Sequence, residues 1–207
     1  MLFRSGGVSV IANLRGGGEY GEEWHKAGNL TKKQNVFDDF IASAEHLVKT
    51  KYTTPQRLCI EGGSNGGLLM GAVLTQRPDL FRAVISHVGI YDMLRVELDS
   101  NGAFNVTEFG TVANPQHFEA LYDYSPYHRV TKGTKYPAIL FTAGANDGRV
   151  LAYHSRKMAA LLQTMNASKQ PILLCTNTSG HGIGTALDEK IAEDADIFAF
   201  LARQLDE

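Results

Sequence analysis

Residues 58–70 read Leu-Cys-Ile-Glu-Gly-Gly-Ser-Asn-Gly-Gly-Leu-Leu-Met, one serine between two glycine pairs with an apolar run on each side. Gly62, Ser64 and Gly66 fit G-x-S-x-G, with a candidate strand before the serine and a candidate helix after it. Such a turn must be sharp, and residues without side chains let strand and helix approach while the hydroxyl stands clear. The competing readings are a serine N-cap in a glycine loop and a phosphate cradle. No Lys-Ser or Lys-Thr follows at the spacing a cradle needs, and the flanking glycines exceed what a cap requires.

On either side of this stretch, short apolar runs alternate with longer segments of helical period. Strands are predicted over residues 8–14, 58–61, 83–87, 138–142 and 172–176, and helices over 35–50, 64–76, 151–165 and 187–205. In the first helix Val36, Phe40, Ala44 and Leu47 share one face. The alternation predicts an α/β fold with a mostly parallel sheet, its strands buried on both faces between helices. Residues 91–135 are aromatic, irregular and rich in turn signals, and read as an insertion over one end of the sheet within a single domain spanning 1–207.

A serine nucleophile needs a base to take its proton and an acid to orient that base. In the α/β-hydrolase arrangement these follow in the order Ser, Asp or Glu, His, each on a loop after a strand. Here "ANDGRV" follows the strand "AILFTAG" and offers Asp147; "SGHGIG" follows the last strand and offers His181. Both stand at carboxyl ends of predicted strands, where open α/β sheets place their sites. His25, His46, His87, His117, His128 and His154 do not follow the final strand and read as surface or structural residues.

Composition excludes other classes. With 43% hydrophobic residues and a formal charge of −2, the chain can bury one core and shows no basic stripe for nucleic acid. Cys59 and Cys175 lack metal-ligand spacing and read as free, buried strand thiols. No apolar run reaches the roughly 18 residues of a membrane span, and the N-terminus lacks a secretory signal pattern, so a soluble, cytoplasmic chain is expected. No metal or organic cofactor is implied.

The segments "ANLRGGGEYGEEWHKAG", "NVFDDF", "GGSNGGLL", "QRPDLF", "YSPYH", "NDGRV" and "SGHG" together resemble the catalytic domain of the prolyl oligopeptidase family of serine peptidases along nearly the whole chain. The resemblance implies an α/β-hydrolase fold with Ser64 as nucleophile, Asp147 as orienting acid and His181 as general base. It implies that Asn65 gives its backbone N–H to the oxyanion hole and that Arg149 binds a substrate carbonyl. Phe104, Phe109 and Val150 fall where the family lines its proline pocket, with Phe104 in place of the usual Trp and Phe109 in place of the usual Tyr. Stacking of a proline ring would be altered accordingly.

Family members also carry a β-propeller and a strand bearing a second oxyanion donor, a tyrosine, and both would precede Met1. With these elements outside the 207 residues, the chain is expected to close its sheet by shifting its first strand against the serine strand or by sharing elements with another copy in a homo-oligomer. Fewer oxyanion donors would favour short activated esters over amides, since one donor is worth about 10² to 10³ in turnover. Three readings follow: a hydrolase of short peptides, a carboxylesterase derived from such a domain, and a non-catalytic fragment.

Overall fold

The computed structural model describes residues 6–182 and 185–205. Met1 and the Ile183-Gly184 end of the "SGHGIG" loop lie outside the described residues. Among the described residues, four strands, β1 (Cys59–Gly63), β2 (Ala83–His87), β3 (Ala138–Gly144) and β4 (Ile172–Asn177), form one parallel sheet in the order β1-β2-β3-β4. Register runs straight across the middle: Val84 lies beside Ile60 and Ile139. The helices are α1 (Glu22–Lys26), α2 (Gln34–Lys49), α3 (Asn65–Gln76), α4 (Gly102–Phe109), α5 (Pro115–Tyr124), α6 (Pro126–Arg129), α7 (Tyr153–Met165) and α8 (Leu187–Leu205).

Alternation along the strands builds two cores. Val84, Ile139, Phe141 and Ile172 face the larger, which takes Leu68, Met70, Val73 and Leu74 of α3, Phe37 of α2, and Met158 and Leu162 of α7. Ala83, Ile85, Ala138 and Leu140 face the smaller, closed by Ile197 and Phe200 of α8. The buried stripe of α2 is centred on Phe37 and Ala44, with Val36, Phe40, Ile41 and Val48 half-buried beside it.

Several sequence expectations need correction. Residues 8–14 form no strand: Val8 and Ile11 are 84% and 90% exposed, and no backbone hydrogen bond joins residues 8–13 to the sheet. β-Branched residues make a strand only where a ladder partner is offered, and the expected shift against the serine strand does not occur. β1 therefore ends the sheet, its outer edge without a ladder partner among the described residues. Burial on both faces holds for β2 and β3 but not for β1 and β4, because the cluster under α8 is built from the middle strands, with Cys59 of β1 only partly buried against it; Leu173 and Cys175 of β4 are exposed, so the expectation of two buried thiols also fails. Finally, residues 91–135 are not irregular. They hold α4, α5, α6 and a short turn of 3₁₀ helix at Val96–Leu98, the second begun by Pro115 and capped by the Asn114 side chain on the backbone N–H of Gln116 and His117.

Candidate active site

Ser64 occupies the N-cap position of α3, yet its side chain makes no capping hydrogen bond. Its backbone is held at φ 58°, ψ −117°, in the left-handed half of the map that costs a non-glycine residue about 1–3 kcal/mol. Two neighbours keep it there. The Ser64 N–H donates to the His87 carbonyl at 2.9 Å, and the Ser64 carbonyl accepts from the Leu68 N–H at 3.1 Å. Gly62 permits the tight approach, since a Cβ there would stand 2.5 Å from the Gly66 carbonyl oxygen.

The hydroxyl freed by this geometry meets His181, whose Nε2 lies 3.0 Å from Ser64 Oγ. On the other side of the ring, Nδ1 lies 2.7 Å from Asp147 Oδ2. Asp147 is buried, and its second oxygen accepts from the Arg149 and Val150 N–H groups at 2.8 and 2.9 Å, so both carboxylate oxygens are engaged. The loops after β3 and β4 are laced together. Ala145 N–H donates to the Asn177 carbonyl (2.8 Å), Asn146 N–H to Ser179 (3.3 Å), and the Asn146 side chain to Thr178 (2.7 Å). Gly144 sits where they touch, and a Cβ there would run into the carbonyls of Ser179 and Gly180. The result is a serine, an imidazole and a carboxylate in one hydrogen-bonded chain at the carboxyl edge of the sheet, able to pass a proton from a hydroxyl to an imidazole as the hydroxyl attacks an acyl carbon.

Asn65 opens α3, and its N–H makes no intramolecular hydrogen bond among the described residues, as the first turn of a helix dictates. It is free to face an oxyanion. Arg149 is exposed and its guanidinium forms no ion pair among the described residues, while its backbone is fixed by Asp147 and by Asn101 Nδ2, 3.4 Å from its carbonyl oxygen. Val150 is buried beside Asp147. Phe104 and Phe109 share α4 but, five residues apart, are turned by about 140° from each other. Phe104 is 68% exposed and Phe109 only 3%, with Lys33 Nζ 5.2 Å over its ring. The two rings do not present one common open wall.

Two of the remaining histidines are engaged on and beside the sheet. His154 is buried, its Nδ1 accepting from the Tyr91 and Asp92 N–H groups and its Nε2 3.0 Å from Asp99 Oδ2. His87 sits between Glu61 (Nε2 to Oε1, 3.0 Å), Thr142 and Glu193. Burial alone would pull its pKa down; the two carboxylates outweigh it and hold the imidazole above its ordinary value. Glu61 moves in the opposite sense, its hydrogen bond to His87 lowering it against burial. Burial pushes the Cys59 thiol up to about 11, which leaves it protonated and inert at neutral pH. Among the described residues no group of three or more His, Cys, Asp or Glu is placed to hold a metal, and no helix is long and apolar enough to cross a membrane.

One pair escaped the sequence altogether. Lys33 is 2% exposed and donates to Glu108 of α4 at 2.6 Å. Burial draws its ammonium below the usual lysine range, and the Glu108 charge opposes that shift. Nothing in "LTKKQN" separates this lysine from its exposed neighbour Lys32.

The fold and the site can be set beside known proteins. A family model described as the prolyl oligopeptidase family matches residues 1–207. The prolyl endopeptidase of Dictyostelium discoideum is 47% identical over 208 residues, covering 99% of this chain and 27% of that protein. That of Elizabethkingia meningoseptica is 43% identical over 198 residues, covering 95% and 28%. Among solved structures, a chain from a structural study of two prolyl endopeptidases superposes with a TM-score of 0.91 at 48% identity, over 94% of this chain and 29% of that one. Prolyl oligopeptidase B from Galerina marginata, bound to a 25-residue macrocyclization substrate, gives 0.89 at 40% identity, over 93% and 27%. The chain thus spans a little over a quarter of the length of the relatives it matches, and its sheet and helices are those of their α/β-hydrolase domain.

Proposed function

The chain belongs to the prolyl oligopeptidase family, and from that premise we propose that it is a serine hydrolase of peptidase type, cleaving short peptides through an acyl-enzyme on Ser64. The observation that carries this reading is the unbroken contact from Asp147 through His181 to a serine held at positive φ. Strain of that kind persists only where the surroundings enforce it, and here it aims the hydroxyl at an imidazole rather than at its own helix.

In this reading Ser64 Oγ attacks the acyl carbon while His181 Nε2 takes its proton. Asp147, bound to Nδ1, keeps the ring oriented and stabilises the imidazolium. The tetrahedral oxyanion receives the Asn65 N–H, a donor already in place before charge develops. His181 then returns the proton to the leaving amine, and water, activated by the same imidazole, releases the acyl group from Ser64. Arg149, exposed and without an ion-pair partner among the described residues, is suited to hold a substrate carbonyl; Phe104 offers an open ring to the acyl side, while Val150 and Phe109 are buried. Residues 1–207 act as one catalytic unit.

The reading is tested by assaying the 207-residue chain on a chromogenic proline-containing amide and on a short aryl ester, beside Ser64→Ala. Turnover of the amide that disappears in Ser64→Ala is the expected result. Ester turnover without amide turnover would move the assignment to an esterase, and activity surviving in Ser64→Ala would remove Ser64 from it.

A further inference from the structure

Helix α4 is fastened at both ends to the loops that carry the triad. At its start, Ser100 Oγ donates to the Gly148 carbonyl at 2.8 Å and Asn101 Nδ2 to the Arg149 carbonyl at 3.4 Å, so the helix begins on the Asp147 loop. At its far end Glu108 reaches across to the nucleophile turn. Its Oε1 accepts from Lys33 Nζ at 2.6 Å and lies 3.5 Å from Asn65 Nδ2, the outer limit of a hydrogen bond. Its Oε2 lies 3.6 Å from His25 Nε2, and His25 Nδ1 is in turn 2.9 Å from the Gly16 carbonyl oxygen. Three separate segments of the chain therefore meet on one carboxylate.

The strength of this joint lies in Lys33. Exposed ion pairs are worth little, but this ammonium has left water, and removing Glu108, its one carboxylate partner among the described residues, would strand a buried charge. The Lys33–Glu108 pair thus has one favoured geometry, while the weaker contact to Asn65 is carried along with it. Lys33 also lies over the Phe109 ring, which fixes the last turn of α4 from a second direction.

We propose that Glu108, braced by Lys33, is a positioning residue that fixes α4 against the Ser64–Asn65 turn, so that an acyl group lying along α4 is held in register with the nucleophile and the Asn65 N–H. This rests on the assignment of Ser64 as nucleophile. Glu108 does not touch the reacting atoms. Its effect is on alignment, where misplacement by about 1 Å can cost on the order of 10²-fold in rate.

The test replaces the pair with apolar residues, Lys33→Met with Glu108→Leu, because a buried ion pair exchanged for well-packed side chains of similar size is often neutral or stabilising. Two aryl esters with the same leaving group are compared, one with an N-acylated prolyl group long enough to lie along α4 and one with an acetyl group too short to reach it. The double variant is expected to keep the parent's thermal midpoint and to lose about tenfold in kcat on the prolyl ester with KM little changed. On the acetyl ester it should lose less than twofold. An unchanged ratio between the two esters overturns the proposal, whether both rates are parental or both fall together with the midpoint. Should the double variant fail to fold, Glu108→Gln, which keeps the side-chain shape, is judged by the same ratio. Labelling of Ser64 by a small fluorophosphonate separates the two ideas: no labelling of the parent sinks the nucleophile assignment, whereas full labelling with an unchanged ester ratio sinks only the role of Glu108.

Discussion

On one side of Ser64 the loops after β3 and β4 are laced by backbone hydrogen bonds between Ala145, Asn146, Asn177 and Ser179, and they hold Asp147 and His181 within a few residues of their strands. On the other side the Ser64–Asn65 turn meets α4 through long side chains, Lys33 and Glu108, which lie 75 residues apart in the chain. The first half is built from short-range backbone geometry. The second is built from charge brought together by the fold. On the proposed function, Asp147, His181 and Arg149 lie on the half held by backbone hydrogen bonds, while α4 with Phe104 is held to the nucleophile turn by side chains.

The rigid half can be broken at its centre. Asp147→Asn keeps the shape of the acid but changes what it offers His181 Nδ1, and in the general Ser-His-Asp template the same change lowers kcat about 10⁴-fold. A loss of that order on the aryl ester, with an unchanged thermal midpoint, is expected here; a loss under about tenfold would mean Asp147 does not orient the base. A gentler break is Gly144→Ala. The added Cβ pushes the Ser179–Gly180 backbone outward, an overpacking that costs about 1–3 kcal/mol in stability. It should also lower turnover by displacing His181 from Asp147. Thermal unfolding and ester kinetics on the same sample check both, and a drop in stability with parental kcat would show that the two loops are less tightly coupled than their hydrogen bonds imply.

A third joint lies under α8. His87 on β2 is held between Glu61 of β1, Thr142 of β3 and Glu193 of α8, so α8 is tied down by side-chain charge, as α4 is. Its folded pKa is raised, so its contribution to stability is fully present below the ordinary histidine value of about 6.5 and is lost as pH rises through the folded value. The thermal-midpoint advantage of the parent over His87→Gln should therefore be largest in mildly acidic solution and shrink on going alkaline. An advantage that grew with pH would contradict the clamp.

How far the sequence could be read follows the same division. Ala83–His87 and Leu187–Leu205 match their predicted bounds because apolar period and glycine or proline punctuation are local signals. Ser64, Asp147 and His181 were legible as candidates because each follows a strand in a fixed order. Residues 8–14 misled for a physical reason: Val8, Val10 and Ile11 have strand character, but a strand exists only with a neighbour, and the neighbour is not local information. Residues 91–135 misled because their helices are short, and Pro115 and Pro126, which start two of them, look like breaks in a linear reading. Lys33 and Glu108 carried no signal, since a buried charge pair is defined by distance in space alone.

The proposed chemistry requires Ser64 to be an activated nucleophile rather than the cap of a helix. Incubating the chain with a fluorophosphonate and mapping the modified peptide by mass spectrometry tests this directly, with Ser64→Ala and Asp147→Asn alongside. Stoichiometric modification confined to Ser64, absent from Ser64→Ala and greatly slowed in Asp147→Asn, is the predicted result. An unmodified chain, or modification proceeding equally fast in Asp147→Asn, would contradict it.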